Sequence, residues 1–173
     1  MPHPDHPPLA VRGVVAQWIS GGEGVHLRYR VEGHGALVVP PFAGMGRADG
    51  LWRTTCFELF LRRAGEAGYV EMNFSPSRRW AAYAFADTRA DMREWPLERE
   101  PVCESFAGER SFVLDVRLPR LSLPPRPLSV GLSAVIEETG GVKSYWALAH
   151  PTGQPDFHHP ACFALALEPP AAI

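Results

Sequence analysis

At 173 residues, with 46% hydrophobic and 21% charged side chains, the chain is long enough to bury one core and too apolar to be intrinsically disordered. Its 16 glycines and 18 prolines exclude a helical bundle, because both residue types break helix interiors. A formal net charge of −2 disfavours nucleic-acid binding, which depends on a basic face.

Alternation of apolar and polar residues predicts β-strands along most of the chain. The clearest strands are expected at residues 25–31, 57–61, 70–74, 112–118 and 128–136. Further apolar runs predict strands at 11–19, 36–39, 80–85, 102–106, 142–148 and 161–167. One short helix is expected near residues 91–100, where Pro96 limits its length.

Glycine and proline pairs such as Gly21-Gly22, Pro124-Pro125 and Gly140-Gly141 separate these runs. Short strands at this spacing predict an all-β fold, an antiparallel β-sandwich of the jelly-roll or immunoglobulin-like kind with about 9–11 strands. The sandwich domain is expected to span residues 8–168. A disordered N-terminal tail over residues 1–7 and a C-terminal tail over residues 169–173 are expected to flank it.

The sequence also bears on the compartment. No apolar run reaches the ~20 residues of a membrane span, and residues 1–8 lack the cationic-then-apolar order of a signal peptide. Cys56, Cys103 and Cys162 have no C-x-x-C spacing, which indicates reduced, mostly buried thiols. A cytoplasmic location with no membrane or nucleic-acid partner is therefore expected, and the oligomeric state stays open.

Familiar catalytic motifs are missing: the sequence has no P-loop, no G-x-S-x-G and no H-E-x-x-H. His158 and His159 are adjacent, so on a strand they would point to opposite sides and bind a metal poorly. Asp156, His158 and His150 are the residues that could still meet in space as a metal site. No resident metal is predicted.

Two segments place a large aromatic residue or ionisable and amide side chains on or near adjacent strands. Trp52 follows a glycine-rich loop and precedes the strand that contains Glu58, while Glu71 and Asn73 share the polar face of the next strand. If these strands pair, Glu58 and Asn73 share one surface. Rings stack on the apolar faces of pyranoses, and carboxylates and amides pair with hydroxyls, so the set is suited to a sugar. The alternative is a solvated face with Trp52 as a core plug.

A third segment contains Lys143, the one lysine of the chain, and Phe157, which lies in a loop bounded by prolines. Phe157 is expected to act as a lid or as a hydrophobic staple. Arg53, Glu71 and Lys143 are possible neighbours of the predicted ligand site.

The order of these segments resembles the DOMON-like superfamily, especially its family 9 carbohydrate-binding modules and stand-alone bacterial DOMON-like domain proteins. The similarity covers Leu51 to the C-terminus. It lies in Leu51-Trp52 running into Cys56–Phe60, in the strand Tyr69–Ser75, and in Ser144-Tyr145-Trp146 followed by residues 155–167.

The resemblance implies a non-catalytic domain that clamps a saccharide between two aromatic rings. By position, Trp52 and Phe157 would be the rings, and Glu58 would bind sugar hydroxyls. Asn73 falls near a position where the modules can use arginine, and Thr54-Thr55 stand where acidic residues are common. The first departure bears on the sugar specificity that the resemblance implies. The second bears on the calcium-binding loops of the modules.

Two alternatives to saccharide binding stay open. Sister branches of the superfamily bind haem b, and Met72 with His150 or Lys143 would then supply axial ligands to an electron-transfer domain. Core filling explains Met72 more simply. The other alternative is a small hydrolase that uses Glu58 with His150 or His158. The leading prediction has no catalytic residues, no cofactor and a saccharide or other small-molecule ligand.

Overall fold

A computed structural model describes residues 1–169, so residues 170–173 of the predicted C-terminal tail lie outside the described residues. This part of the chain contains twelve strands: β1 Gly13–Gly21, β2 Gly24–Glu32, β3 Gly46–Arg47, β4 Cys56–Arg63, β5 Tyr69–Phe74, β6 Arg79–Phe85, β7 Arg93–Glu94, β8 Val102–Ala107, β9 Ser111–Pro119, β10 Leu128–Glu138, β11 Val142–Ala147 and β12 Leu165–Leu167. Short 3₁₀ helices cover His34–Ala36, Leu51–Arg53, Arg120–Ser122, Thr139–Gly141 and Pro160–Cys162.

The strands form two sheets. The four-stranded sheet has the order β1-β2-β9-β8, and the eight-stranded sheet has the order β11-β10-β4-β5-β6-β3. Strand β12 pairs with the first residues of β10, and β7 pairs with β6. All pairings are antiparallel except the short β3–β6 pair. The predicted all-β antiparallel sandwich is confirmed.

The main core lies between the two sheets and is built from the apolar positions that the period-two pattern indicates. Leu27 of β2, Leu59 of β4 and Leu114 of β9 are fully buried there. Each such side chain contributes about 1.5–3 kcal/mol when it is removed from water. The Tyr29 hydroxyl donates a hydrogen bond to the carbonyl of Glu58 at 2.9 Å, which ties the sheets together through the core.

The eight-stranded sheet is also buried on its outer face, the face turned away from the four-stranded sheet. A second apolar cluster covers this face, and it includes Phe60, Tyr69 and Phe85 from the strands and Phe157 and Phe163 from the chain that follows β11. That segment folds back over the sheet. It therefore buries residues whose alternating pattern would also fit a solvent-exposed face. The outer face is therefore the setting of the candidate site.

The predicted disordered tail at residues 1–7 is instead attached to β11. Pro2 forms a bridge with Trp146, the Met1 ammonium donates to the carbonyl of Ala147 at 2.8 Å, and His3 is 1% exposed. The free edge of β11 offers unpaired N–H and C=O groups, and the first residues satisfy them.

The expected helix near residues 91–100 does not form. Arg93–Glu94 instead pairs with β6 as β7, and the N–H of Trp95 donates to the carbonyl of Ala82 at 3.0 Å. Asp91 has a φ of 51°, which is incompatible with a right-handed helix, and Pro96 follows. Within residues 1–169, no helix has the length and apolarity needed to cross a membrane.

Two other strand predictions also change. Residues 36–39 contribute a single bridge, between Leu37 and Glu138, and the run at 161–167 is reduced to β12.

Candidate functional site

A cavity of about 450 Å³ opens on the outer face of the eight-stranded sheet. Its walls are largely aromatic, and two carboxylates from neighbouring strands lie among them. The lining residues used below are Trp52, Glu58, Glu71, Tyr83, Arg89, Tyr145, Phe157 and His158. The lining therefore comes from separate parts of the chain: the loop before β4, strands β4 to β6 with the loop after β6, strands β10 and β11, and the loop after β11.

Trp52 stands at the cavity wall with 40% of its surface exposed. It lies in the 3₁₀ helix Leu51–Arg53, which Gly50 introduces with a φ of 73°, a backbone conformation that favours glycine. The indole ring meets the edge of Tyr83 with centroids 6.1 Å apart and planes at 74°. The ring is therefore not a core plug: one side packs on Tyr83 while much of it stays accessible.

Tyr83 is the support for Trp52, and sequence reasoning missed it. Its hydroxyl donates to Asp49 Oδ1 at 2.6 Å, and the Arg47 guanidinium lies 2.9 Å from the same oxygen and 5.3 Å from the Tyr83 ring centroid. The hydrogen bonds from Tyr83 and Arg47 lower the pKa of Asp49, whereas burial raises the pKa of Tyr83. No local motif marks this trio, because β3 and β6 meet only in the folded sheet.

Phe157, the second predicted ring, lines the same cavity but is 8% exposed. Its ring packs near Tyr145, at 6.1 Å between centroids, and near His150, at 6.3 Å. Phe157 thus packs the loop onto the sheet, as a hydrophobic staple does, and also presents part of the cavity wall. The rings of Trp52 and Phe157 are unequal: one is accessible and the other is packed.

Glu58 and Glu71 project from adjacent strands into the cavity. In the β4–β5 register Glu58 is opposite Asn73 and Phe60 is opposite Glu71, so the two glutamates are diagonal neighbours on the outer face. Glu58 is 4% exposed and Glu71 is 6% exposed. We call Glu58 and Glu71 the carboxylate pair.

Few hydrogen-bond donors reach the carboxylate pair. Asn73 Nδ2 donates to Glu71 Oε1 at 2.7 Å, and Ser133 Oγ donates to Glu58 Oε2 at 3.5 Å. Asn73 is itself fully buried, and its Oδ1 has no hydrogen-bond partner among the described residues. Glu58 and Asn73 lie on the same face of the sheet, but Asn73 bonds to Glu71 from outside the cavity wall.

Burial controls the ionisation of the pair. Desolvation raises the pKa of Glu58 well above its ordinary value, and the charge of Glu71 raises it further. Burial raises the pKa of Glu71 to about 6, while the hydrogen bond from Asn73 and the charge of Arg89 oppose the rise. At least one of the two carboxyls therefore titrates above the usual range of glutamate.

His158 closes one side of the cavity next to the pair. The Tyr69 hydroxyl lies 2.7 Å from His158 Nδ1 and accepts the N–H of Arg89 at 3.1 Å. The other ring nitrogen, Nε2, lies 3.6 Å from Glu71 Oε2. Burial lowers the pKa of His158 to about 4, so the ring is neutral near pH 7.

The three metal candidates are engaged elsewhere. Asp156 Oδ1 pairs with the Arg89 guanidinium at 2.8 Å, His158 bonds to Tyr69, and His150 Nε2 lies 3.1 Å from the carbonyl of Met1. Across residues 1–169, no three His, Cys, Asp or Glu side chains are grouped so that they could hold a metal ion.

Arg53 and Lys143 do not contribute to the cavity walls. Lys143 Nζ instead donates to the carbonyl of Arg53 at 2.5 Å, which ties the start of β11 to the segment after Trp52. The two residues predicted as neighbours of the site therefore lie at its periphery.

The haem candidates Met72 and His150 lie on opposite faces of the eight-stranded sheet. Met72 is fully buried in the main core, whereas His150 packs against Phe157 on the outer side. Met72 and His150 therefore cannot face a common group, and Met72 fills the core. Lys143, the other partner considered for Met72, is bonded to the Arg53 carbonyl.

The fold has a counterpart among solved structures. The chain is similar to a "putative carbohydrate-binding protein" from Bacteroides uniformis, with a TM-score of 0.65 and 17% sequence identity over 92% of this chain and 79% of that one. At this identity the likeness concerns the fold. The chain matches no protein-family model and no curated protein by sequence.

Proposed function

We propose that this chain is a non-catalytic, DOMON-like domain that binds a saccharide or a related polyol in the outer-face cavity. One observation carries the proposal: the accessible ring of Trp52 and the buried carboxylate pair line the same cavity. An aromatic face can stack on the apolar face of a pyranose, and carboxylates can accept hydrogen bonds from its hydroxyls.

The dimensions and the rigidity of the site support this function. A volume of about 450 Å³ lies within the range of ligand sites, roughly 300–1,000 Å³. Trp52 is held on Tyr83 by the Asp49–Arg47 contacts, so little ordering of the ring is needed when a ligand binds. Each aromatic contact should contribute on the order of 1 kcal/mol, which gives affinities from about micromolar to millimolar.

Two further findings support the proposal. The counterpart from Bacteroides uniformis carries a carbohydrate-binding description, and the segments that resemble family 9 modules supply Trp52, Glu58 and Phe157 to one cavity.

The cytoplasmic location proposed for this protein is supported by three free, buried cysteines, Cys56, Cys103 and Cys162.

Calorimetric titration with neutral monosaccharides and disaccharides tests the proposal. We expect at least one neutral sugar to bind, and we expect Trp52→Ala to weaken that binding about tenfold because it removes the stacking surface. Calorimetry is preferable to fluorescence alone, since the chain has five tryptophans. Phe106→Ala is the matched control, because Phe106 is 52% exposed on the four-stranded sheet. Equal binding by the two variants would contradict the site, and no binding by any sugar would contradict the function.

Acid–base hydrolysis is the second candidate, and the proximity of Glu71 and His158 favours it. The 3.6 Å separation of His158 Nε2 and Glu71 Oε2 and the pKa of Glu71 of about 6 are suited to proton transfer near neutral pH. A hydrolase would release the leaving group from aryl glycosides or esters. Glu58→Gln and Glu71→Gln would abolish that turnover, while Trp52→Ala would only weaken it. The absence of turnover across both substrate classes would exclude this candidate.

A further inference from the structure

The charges around the outer-face cavity are unbalanced. Its lining contains the carboxylate pair and one cationic side chain, Arg89. The Arg89 guanidinium is already paired with Asp156 at 2.8 Å, and its side chain is 59% exposed. His158 is neutral near pH 7, because its pKa is about 4. Neither glutamate has a cation bonded to it among the described residues when His158 is neutral.

The carboxylate pair also has unused hydrogen-bonding capacity. An ionised carboxylate accepts about four hydrogen bonds, whereas Glu71 accepts one short bond from Asn73 and Glu58 accepts one long bond from Ser133. Burying a carboxylate is costly unless a donor or a cation compensates for the lost water. An incoming group with a positive charge and several N–H donors would meet that need.

The walls of the cavity favour the same group. Trp52, Tyr83, Tyr145 and Phe157 line it, and aromatic faces attract cations through the ring quadrupole. A neutral hydroxyl gains little from such walls beyond stacking, whereas an ammonium ion gains from both the rings and the carboxylates. Rings and carboxylates in one cavity therefore discriminate by charge as well as by shape.

We propose that the ligand is an amino sugar with a free amine, whose ammonium group pairs with Glu58 and Glu71 while its ring stacks on Trp52. This inference rests on the proposed function, since it concerns the same cavity, and it narrows the ligand class from neutral to cationic saccharides. A neutral sugar leaves the carboxylate pair without a countercharge, so it should bind more weakly.

The inference carries a pH dependence of defined sign. An ammonium group pairs only with ionised carboxylates, and burial raises the pKa of Glu71 to about 6 and the pKa of Glu58 as well. Affinity for an amino sugar should therefore increase from about pH 5 to about pH 7. The other titratable and charged groups around the pair are Tyr69 on β5, Tyr83 with Asp49 and Arg47, and Arg89, Asp156 and His158 on the covering loops. The pKa of His158, at about 4, lies below this window.

Calorimetry on the full chain with glucose, glucosamine and N-acetylglucosamine tests the inference. The acetyl group removes the positive charge but keeps the ring and its hydroxyls. We expect glucosamine to bind about tenfold more tightly than either neutral sugar at about pH 7, and the advantage to fall below about threefold at about pH 5. Both comparisons use the unmodified protein, so they do not depend on the folding of any variant.

Variants then locate the charge. Glu71→Gln should lower the advantage of glucosamine over glucose, with both sugars measured on the variant, to about twofold. Glu109→Gln, at an exposed position between β8 and β9, should keep the full advantage. A preference for glucosamine that survives the double variant Glu58→Gln/Glu71→Gln, shown by circular dichroism to be folded, would overturn the inference. Equal binding of glucose and glucosamine would overturn the inference alone, whereas no binding of any sugar would overturn the proposed function.

Discussion

Glu138 and the carboxylate pair present the same chemical group, buried to the same degree, in two contrasting environments. Glu138, at the end of β10, is 0% exposed, and Glu58 and Glu71 are 4% and 6% exposed. Glu138 accepts backbone N–H bonds from Leu9 and Ala10 at 2.6 Å and from Val11 at 3.0 Å. The carboxylate pair shares one short bond and one long bond.

The contrast separates a structural role from a binding role. Three convergent backbone donors compensate for the buried charge of Glu138 and fasten the chain before β1 to the end of β10. The carboxylate pair holds nothing comparable in place, and its uncompensated charge faces a cavity. Removing Glu138 should therefore cost stability, whereas removing a charge from the pair should increase stability and reduce ligand binding.

The largest effect is expected for Glu138→Ala. The substitution leaves three N–H groups without an acceptor, so the free energy of unfolding should fall by about 3–5 kcal/mol. For a chain of this length, that loss lowers the melting temperature by about 6–20 °C. Urea titration measures the first quantity and calorimetry the second. Glu137→Ala, one residue earlier, is the control and should change stability by less than about 1 kcal/mol. A loss within about 1 kcal/mol for Glu138→Ala would remove the contrast.

An intermediate effect of opposite sign is expected for Glu71→Gln. Folding raises the pKa of Glu71 from 4.5 to about 6, so the folded state binds its proton more tightly than the unfolded state does. The stabilisation that comes from this proton is complete below about pH 4.5 and is lost as the pH rises through about 6. The ionised group then costs about 2 kcal/mol at pH 7.

The glutamine of the Glu71→Gln variant would keep the acceptor for Asn73 but would not titrate. The variant should therefore match wild type near pH 4.5 and exceed its free energy of unfolding by about 1–2 kcal/mol at pH 7. Urea titrations at several pH values, with Glu109→Gln as control, measure this difference. Lower stability of Glu71→Gln than of wild type at pH 7 would show that the charge of Glu71 is compensated in the fold.

The smallest effect is expected for Asn73→Ala. The change removes the one short hydrogen bond to Glu71, which supports the ionised form, and also removes a buried Oδ1 that has no partner among the described residues. The two contributions oppose each other, so stability at pH 7 should change by less than about 1 kcal/mol. The pKa of Glu71 should rise above about 6, which a carboxyl carbon titration by nuclear magnetic resonance detects. An unchanged or lower pKa would mean that Asn73 does not support the charge.

Local patterns predicted most of the sandwich. The alternation at residues 25–31, 57–61 and 112–118 became β2, β4 and β9, because side chains on a strand alternate between faces and one face must be buried. The expected helix near residues 91–100 failed because pairing with β6 and a left-handed residue, Asp91, outweighed its local helical pattern. No local pattern indicates the attachment of the N-terminal residues, because the edge of β11 that they cover is more than 140 residues away in the chain.

The sequence by itself determined the residue types of the candidate site: a tryptophan after a glycine turn, and acids and an amide on adjacent strands. Tertiary structure alone decided their surroundings. The return of the chain after β11 over the outer face buries Glu58 and Glu71 and adds His158, and the β3–β6 contact brings Asp49 to Tyr83 beneath Trp52. The physical reason is that burial and charge compensation depend on contacts between distant segments. An alternating pattern specifies which side of a strand a residue occupies, but it does not specify what covers that side.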